Sequence, residues 1–146
     1  AAAVRAHFDG HRFAGVWSSD LQRAVESARL GWGEPRQDQR LRECNFGPWE
    51  GSPYEAIVRD HAEVFLEFRS FVIDGGDSHA TFRDRIVSFV DELQSGRHLL
   101  FVHGGVIRIL TQDLGLDRFV ATGSLVGVDW TGRRLLFVKE PGAAEI

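Results

Sequence analysis

The sequence predicts one α/β domain, a three-layer sandwich in which a mostly parallel central sheet is flanked by helices. Strand-like and helix-like segments alternate along the chain and close in a hairpin, as they do in α/β proteins. Leu99, Leu100, Phe101 and Val102 are four apolar residues in a row, a pattern typical of a parallel strand buried on both faces. The length of 146 residues suits one domain, and no repeat or linker divides residues 1–146.

The first half of the chain is predicted to contain a helix end, a strand, a helix and two loops. In order, these lie at residues 1–12, 13–17, 21–30, 31–40 and 41–53, and the first loop has room for a short strand. Gly10 is expected to end the first helix. Ser19, followed by Gln22 three residues later, forms a capping-box pattern that predicts the start of the second helix.

The second half is predicted to contain two helices, a strand, another helix and a hairpin. In order, these lie at residues 54–73, 78–93, 99–102, 106–114 and 125–138. Gly75 and Gly76 separate the first two helices, and Ser78 is expected to cap the second. The second helix places its apolar residues on one face, namely Phe82, Ile86, Phe89, Val90 and Leu93.

Composition excludes several classes of function. The net charge of −4 gives no basic surface for nucleic acid and no polybasic patch for a membrane. No apolar run approaches the ~20 residues that span a bilayer. The single cysteine, Cys44, excludes an internal disulfide and fits a reducing compartment. We therefore expect a cytoplasmic protein that binds neither nucleic acid nor membrane.

His103 is the strongest candidate for chemistry. It stands where the apolar strand ends and a helix begins, which is the edge of an open α/β sheet at which ligands bind. Gly104 and Gly105 let the backbone approach a ligand closely, and the helix start offers free N–H groups to an anion. A hydrogen-bonded core histidine is the common alternative, but the position before two glycines favours phosphate chemistry.

A second strand-to-helix junction, at residues 17–20, is expected at the same edge, because right-handed crossovers place both junctions there. Arg23 lies on the first turn of the following helix, where its fork of donors is placed to grip an oxyanion. An exposed arginine in a salt bridge is the alternative interpretation of Arg23.

Residues 41–51 form an irregular loop with two large aromatic side chains, two glycines and two carboxylates. Glu43 is a candidate proton donor if burial raises its pKa, although a surface carboxylate is the simpler interpretation. Glu50 is expected to bond the backbone N–H groups of its own turn.

His7 and His11 have a spacing that suits a metal, but no Glu or Cys nearby completes a site, so no metal is predicted.

Four blocks of sequence, taken together, resemble the histidine phosphatase superfamily, which has the phosphoglycerate-mutase-like fold. In the family's order they are residues 18–24, 41–51, 75–78 and 103–108. The resemblance covers nearly the whole chain. It implies transfer of a phosphoryl group to a histidine and then to water, without a metal or other cofactor. The implied substrate is a small phosphorylated metabolite, and a homodimer is one option for the assembly.

The resemblance also implies a role for each candidate residue. Arg23 matches the second phosphate-binding arginine, and Glu43 matches the proton donor to the leaving oxygen. His103 matches the second histidine of the pocket, which bonds the transferred phosphoryl oxygens. The backbone N–H of Gly104 joins His103 at those oxygens.

One part of the family pattern does not occur in this sequence. The family's nucleophile lies in an Arg-His-Gly motif at the end of an N-terminal strand, and this chain has no Arg-His-Gly and no Met. We expect the protein to have roughly 30 more residues before Ala1, one strand and one helix, which carry the nucleophile. The alternative is an inactive protein that only binds phosphorylated ligands.

The spacing of the blocks limits which branches of the family this sequence can resemble. Residues 41–120 are too few for the cap insertions of the cofactor-dependent glycolytic mutases. Residues 75–78 and 103–108 look most like the small bacterial phosphatases, including α-ribazole-phosphate phosphatase, so α-ribazole phosphate is a candidate substrate. Broad-specificity phosphomonoesterases share the same frame, and a mutase that moves phosphate within a sugar acid is the alternative enzyme.

Overall fold

Strands and helices alternate in the structure, a computed structural model that describes residues 2–141. The strands are β1 (Gly15–Ser18), β2 (Arg36–Gln37), β3 (His98–Phe101), β4 (Leu125–Asp129) and β5 (Arg134–Lys139). The α-helices are α1 (Ala2–His7), α2 (Gln22–Gly31), α3 (Tyr54–Asp60), α4 (Ala62–Leu66), α5 (His79–Asp91) and α6 (Gly104–Thr111). Two 3₁₀ turns, Gln39–Leu41 and Gly47–Trp49, lie in the loop between β2 and α3.

A parallel sheet with strand order β2-β1-β3 confirms the predicted α/β architecture. β1 pairs with β3 in a register that runs from Gly15 opposite His98 to Ser18 opposite Phe101. The two strands therefore end side by side, and the segments that follow them start at one edge of the sheet. The predicted hairpin is also confirmed, because β4 and β5 pair antiparallel.

The prediction that residues 99–102 form a strand buried on both faces is wrong for the described chain. The four residues 99–102 are all only half-buried. Within residues 2–141, β3 pairs with β1 alone and β4 pairs with β5 alone, so each strand has one edge without a strand beside it. An edge strand has neighbours on one side only, which leaves its apolar side chains partly uncovered.

The main core lies between α5, α6 and residues 62–73. The apolar face of α5 is buried, with Phe82 and Ile86 at 0 % exposure, as the helical spacing predicts. Val106 and Ile109 of α6 pack into the same cluster. This core fixes the position of α6 and hence of the residues at its first turn.

The two predicted caps have opposite outcomes. Ser78 caps α5 as predicted, in a reciprocal capping box with Thr81. The Ser19 cap is wrong, because α2 begins at Gln22 after Leu21 and has no side-chain cap. The Ser19 hydroxyl is turned across to the end of β3 instead.

The prediction of one helix over residues 54–73 is also wrong. The helix breaks at His61, which has φ −133° and ψ 44° and stacks its ring on Trp49 with the centroids 3.5 Å apart. After Leu66 the chain runs through turns and a single β-bridge rather than a helix. In those turns Phe68 is buried while Val72 is 78 % exposed, so the apolar spacing does not reflect a helix.

Two loops contact each other backbone to backbone beside the candidate site. Gly76 lies so close to Asn45 and Gly47 that a Cβ on residue 76 would be 2.5 Å from the Asn45 carbonyl oxygen and 2.7 Å from the Gly47 nitrogen. The Asp77 N–H donates to the Asn45 carbonyl at 2.8 Å. Glu50 accepts the N–H of Phe46 at 2.7 Å, which confirms its predicted role within its own turn.

Gly76→Ala should destabilise the protein, because its methyl group would collide with backbone atoms that cannot rotate away. We expect a loss of about 1–3 kcal/mol in the free energy of unfolding, the usual cost of overpacking. Gly33→Ala is the matched control, since nothing lies within 4 Å of a Cβ at that position. Urea unfolding followed by circular dichroism measures both, and equal effects of the two variants would contradict the close contact.

Candidate active site

The ends of β1 and β3 bring two predicted site segments together. Ser19 follows β1, His103 follows β3, and the Ser19 Oγ lies 2.7 Å from the His103 Nε2. Ser19 is fully buried and His103 is 7 % exposed. The structure therefore confirms that the two strand-to-helix junctions share one edge of the sheet.

His103 occupies the N-cap position of α6 in extended backbone conformation. Burial, the largest cause, and the nearby charges of Arg23 and Arg85 together lower the pKa of its imidazole to about 4. The ring is therefore neutral at pH 7, with a single ring proton. A neutral imidazole acts as a hydrogen-bond donor through one nitrogen and as an acceptor through the other.

Glu43 lies in the irregular loop after β2, and its carboxylate contacts the first turn of α6. Its Oε2 accepts the N–H of Gly105 at 3.0 Å, and its Oε1 accepts the N–H of Cys44 at 3.0 Å. Residue 105 must be glycine for this contact, because a Cβ there would collide with the Glu43 carboxylate. The loop that carries Glu43 is thus joined to the helix that starts at His103.

Burial raises the pKa of Glu43 above the ordinary value of 4.5. The two backbone N–H donors and the charges of Arg23 and Arg85 favour the ionised form and offset part of this effect. A carboxyl group with a raised pKa can hold a proton near neutral pH and give it up to a developing alkoxide. The burial of Glu43 therefore favours its interpretation as a general acid over its interpretation as a surface carboxylate.

Arg23 lies on the first turn of α2, as predicted, and is exposed. Within residues 2–141 its guanidinium makes no hydrogen bond and no ion pair, whereas neighbouring Arg42 is held by Asp20. The salt bridge weighed as an alternative for Arg23 is thus not found in this part of the chain. Its charge lies close enough to influence the pKa of both Glu43 and His103.

Gly104 is the first residue of α6, next to His103. The first N–H groups of a helix have no partner inside the helix, and that of Gly105 is already taken by Glu43. Gly104 donates to no atom of the described chain, so its N–H stays available at the predicted place.

An open cleft of about 690 Å³ lies in front of Glu43. Polar and charged side chains dominate its lining, among them Arg23, Gln39, Arg42, Asn45 and Glu50. On the inner side, Phe46, Tyr54, Phe65 and Phe119 line a small cavity together with Glu43. Of the two aromatic residues in the loop of Glu43, Phe46 is at this cavity, whereas Trp49 stacks on His61.

Arg85 is a site residue that the sequence analysis did not single out. Its guanidinium donates to the carbonyls of Arg40, Arg42 and Glu43 at 2.9, 2.6 and 2.9 Å, and to the Asp77 carboxylate at 3.0 Å. It thereby fixes the backbone that carries Glu43. A signal was present, because Arg85 follows Phe82 by three residues and so shares the buried face of α5.

Neither a metal centre nor a membrane span is found in the described chain. Residues 2–141 contain no group of three or more His, Cys, Asp or Glu side chains arranged to hold a metal ion. Within the same residues, no helix has the length and apolar character needed to cross a bilayer.

Comparison with known families gives a match over most of the chain. The model of the histidine phosphatase superfamily (branch 1) matches residues 1–139. Putative phosphoserine phosphatase 2 of Hydrogenobacter thermophilus is 30% identical over 107 residues, covering 65% of this chain and 52% of the relative. The chain spans about half the length of the curated relatives it matches first.

Solved structures agree with the family match. A crystal structure of phosphoglycerate mutase from Thermus thermophilus superposes with a TM-score of 0.79 and 37% identity, covering 94% of this chain and 79% of that one. An α-ribazole phosphatase from Shigella flexneri superposes with a TM-score of 0.63 over 90% of this chain and 75% of its own. At 18% identity, this second likeness bears on the fold alone. The expected phosphoglycerate-mutase-like fold is confirmed.

Arg85→Ala should destabilise the protein, since three backbone carbonyls and Asp77 lose their charged donor. We expect a loss of about 1–3 kcal/mol in the free energy of unfolding. Arg83→Ala, two residues earlier on the same helix, is the control, because the Arg83 side chain makes no hydrogen bond within residues 2–141. Chemical denaturation measures both variants, and a neutral Arg85→Ala would show that the loop holds its shape without this clamp.

Proposed function

The chain belongs to the histidine phosphatase superfamily, and on that premise we propose that the complete protein is a metal-independent phosphomonoesterase. The observation that carries this proposal is that His103 follows β3, Glu43 bonds the helix that His103 precedes, and the charge of Arg23 acts on both groups. Such a site offers donors for a phosphoryl group on one side and an acid for its leaving oxygen on the other. The substrate is a small phosphorylated metabolite.

Three donors would hold the phosphoryl oxygens in this proposal. Arg23 presents a planar fork of N–H groups without a competing carboxylate in the described chain, which suits bidentate contact with an oxyanion. His103 supplies a ring N–H, and Gly104 supplies the first N–H of α6. Together they would stabilise the charge that spreads over the transferring phosphoryl group.

Glu43 would act first as a general acid and then as a general base. As the bond between phosphorus and the leaving oxygen breaks, the carboxyl group gives its proton to that oxygen. When water then attacks the phosphohistidine, the carboxylate takes the proton back, and inorganic phosphate leaves. Burial supports the first step, because it raises the pKa of Glu43 and so favours the protonated acid before transfer.

The nucleophile in this proposal is a histidine on a strand that is not part of this sequence. The unpaired edges of β3 and β4 within residues 2–141 support such a strand, because backbone groups there still need partners. A strand laid parallel to β3 would end beside His103. Its last residues would then face the same anion site as Arg23.

Phosphatase and mutase activity differ only in the group that accepts the phosphoryl. The 37% identity to a phosphoglycerate mutase keeps phosphoryl transfer within a sugar acid as the second candidate. A phosphatase with α-ribazole phosphate as its substrate is the finer form of the first candidate. Incubation with a phosphorylated acid distinguishes the two, since a hydrolase releases inorganic phosphate and a mutase yields an isomer.

The complete protein should hydrolyse phosphomonoesters in the presence of EDTA, because no step of the proposal needs a metal. Release of inorganic phosphate from p-nitrophenyl phosphate and from sugar phosphates measures the activity. Activity that disappears on chelation and returns with a divalent metal would contradict the proposal.

Arg23→Ala should lower turnover by about 10²–10³-fold, the usual cost of one charge-stabilising donor. Arg29→Ala is the control, as Arg29 lies on the same helix in an exposed pair with Glu34.

Glu43→Gln should slow the hydrolysis of sugar phosphates far more than that of p-nitrophenyl phosphate. A sugar alkoxide is a poor leaving group that needs a proton, whereas nitrophenolate leaves without one. General acid catalysis contributes typically about 10²–10⁴-fold, so the difference between the two substrates should be large. Steady-state kinetics on both substrates measures it. Equal losses on the two substrates would assign Glu43 a structural or phosphate-binding role instead.

A further inference from the structure

Ser19 contacts His103 instead of capping the helix that follows it. The Ser19 Oγ lies 2.7 Å from the His103 Nε2, and Ser19 is fully buried. The N-cap residue of α2 is Leu21, so the Ser19 hydroxyl does not bond the first N–H groups of that helix. The side chain has instead been directed across the sheet edge to the imidazole.

The hydrogen atoms at Ser19 can be assigned by counting its partners. Within the described chain, two groups lie in hydrogen-bond contact with the hydroxyl oxygen, namely the His103 Nε2 and the N–H of Leu21 at 3.4 Å. The Leu21 N–H can only donate, so the hydroxyl oxygen accepts from it. The one acceptor in reach of the hydroxyl hydrogen is then the His103 Nε2, and a buried hydroxyl hydrogen is rarely left without a partner.

We propose that Ser19 is a positioning residue that holds His103 in one tautomer, with the ring proton on Nδ1. In this arrangement the Ser19 hydroxyl donates to Nε2, and Nδ1 becomes the donor that His103 offers to a ligand. The alternative, in which Nε2–H donates to Ser19, leaves the hydroxyl hydrogen without an acceptor and turns a lone pair toward the ligand. A lone pair would repel a phosphoryl oxygen.

The Nδ1 side of the ring is open to a ligand. Nδ1 has no hydrogen-bond partner among residues 2–141, and it is not among the buried polar atoms that lack one. It therefore reaches accessible space, on the ring edge opposite its contact with Ser19. That this N–H meets a phosphoryl oxygen rests on the proposed function, whereas the tautomer itself does not.

Long-range ¹H–¹⁵N correlation spectra of the ¹⁵N-labelled chain test the tautomer directly, because protonated and unprotonated ring nitrogens resonate far apart. His103 is assigned by its absence from the spectrum of His103→Gln. We expect the wild-type ring at pH 7 to be protonated at Nδ1 and unprotonated at Nε2. A wild-type ring protonated at Nε2 would overturn the proposal, whatever the variants do.

Ser19→Ala should release the ring into a mixture of both tautomers, seen as a shift of both nitrogen resonances toward intermediate values. Ser18→Ala is the matched control, because Ser18 is also fully buried but its hydroxyl has no partner in the described chain. It should leave the His103 pattern unchanged. A Ser19→Ala spectrum identical to the wild type would also overturn the proposal.

Kinetics on the complete protein separates this inference from the proposed function. Ser19→Ala should lower turnover up to about tenfold, less than the ~10²–10³-fold expected for loss of a donor. A protein with the Nδ1–H tautomer but no phosphatase activity would contradict the proposed function alone. An active protein with the Nε2–H tautomer would contradict this inference alone.

Discussion

The hydrogen bond between the Glu43 carboxylate and the N–H of Gly105 is the interaction on which the site depends. It joins the irregular loop after β2 to the first turn of α6, across 62 positions of sequence. It requires glycine at residue 105 and places the carboxylate against the first turn of α6, the helix that His103 precedes. Arg85 supports the same loop from α5 by binding its carbonyls, so the core helix and the site form one unit.

Burial is the main cause of the shifted pKa values at this edge of the sheet. Burial disfavours both charged forms: it raises the pKa of Glu43 and, together with the charges of Arg23 and Arg85, lowers that of His103 to about 4. The imidazole is thus neutral and the carboxyl group holds its proton more readily than usual. The exposed guanidinium of Arg23 has no carboxylate partner within residues 2–141, whereas the charge of Arg85 is shared among carbonyls and Asp77.

The sequence predicted the features that follow from local chemistry. Outside residues 54–73, the order of strands and helices is confirmed, as are the Ser78 cap and the turn closed by Glu50, and each depends on residues a few positions apart. The shared strand ends also followed, because right-handed crossovers leave few topologies. For Arg23 and Glu43 the residues alone also allowed a plain surface interpretation, and the resemblance to a known family favoured the roles proposed for them.

The errors arose where distant residues override local preference. Ser19 was assigned to a helix cap because Gln22 follows it, but His103, 84 positions away, takes its hydroxyl. The helix predicted over residues 54–73 breaks at His61, whose ring stacks on Trp49. Three of the four partners of Arg85 are backbone carbonyls, which carry no signature in a sequence, so its place on the buried face of α5 was the one signal.

The central claim is that the ends of β1 and β3, with the start of α6, form an anion site. Titration of the ¹⁵N-labelled chain with inorganic phosphate, followed by ¹H–¹⁵N correlation spectra, tests it most directly. The account predicts saturable shifts concentrated at the backbone amides of His103 and Gly104 and at the side-chain Nε–H of Arg23. Shifts concentrated elsewhere, for example around Arg69 and Arg108, which both pair with Asp117, would contradict it. So would the absence of shifts at phosphate concentrations that saturate the complete protein.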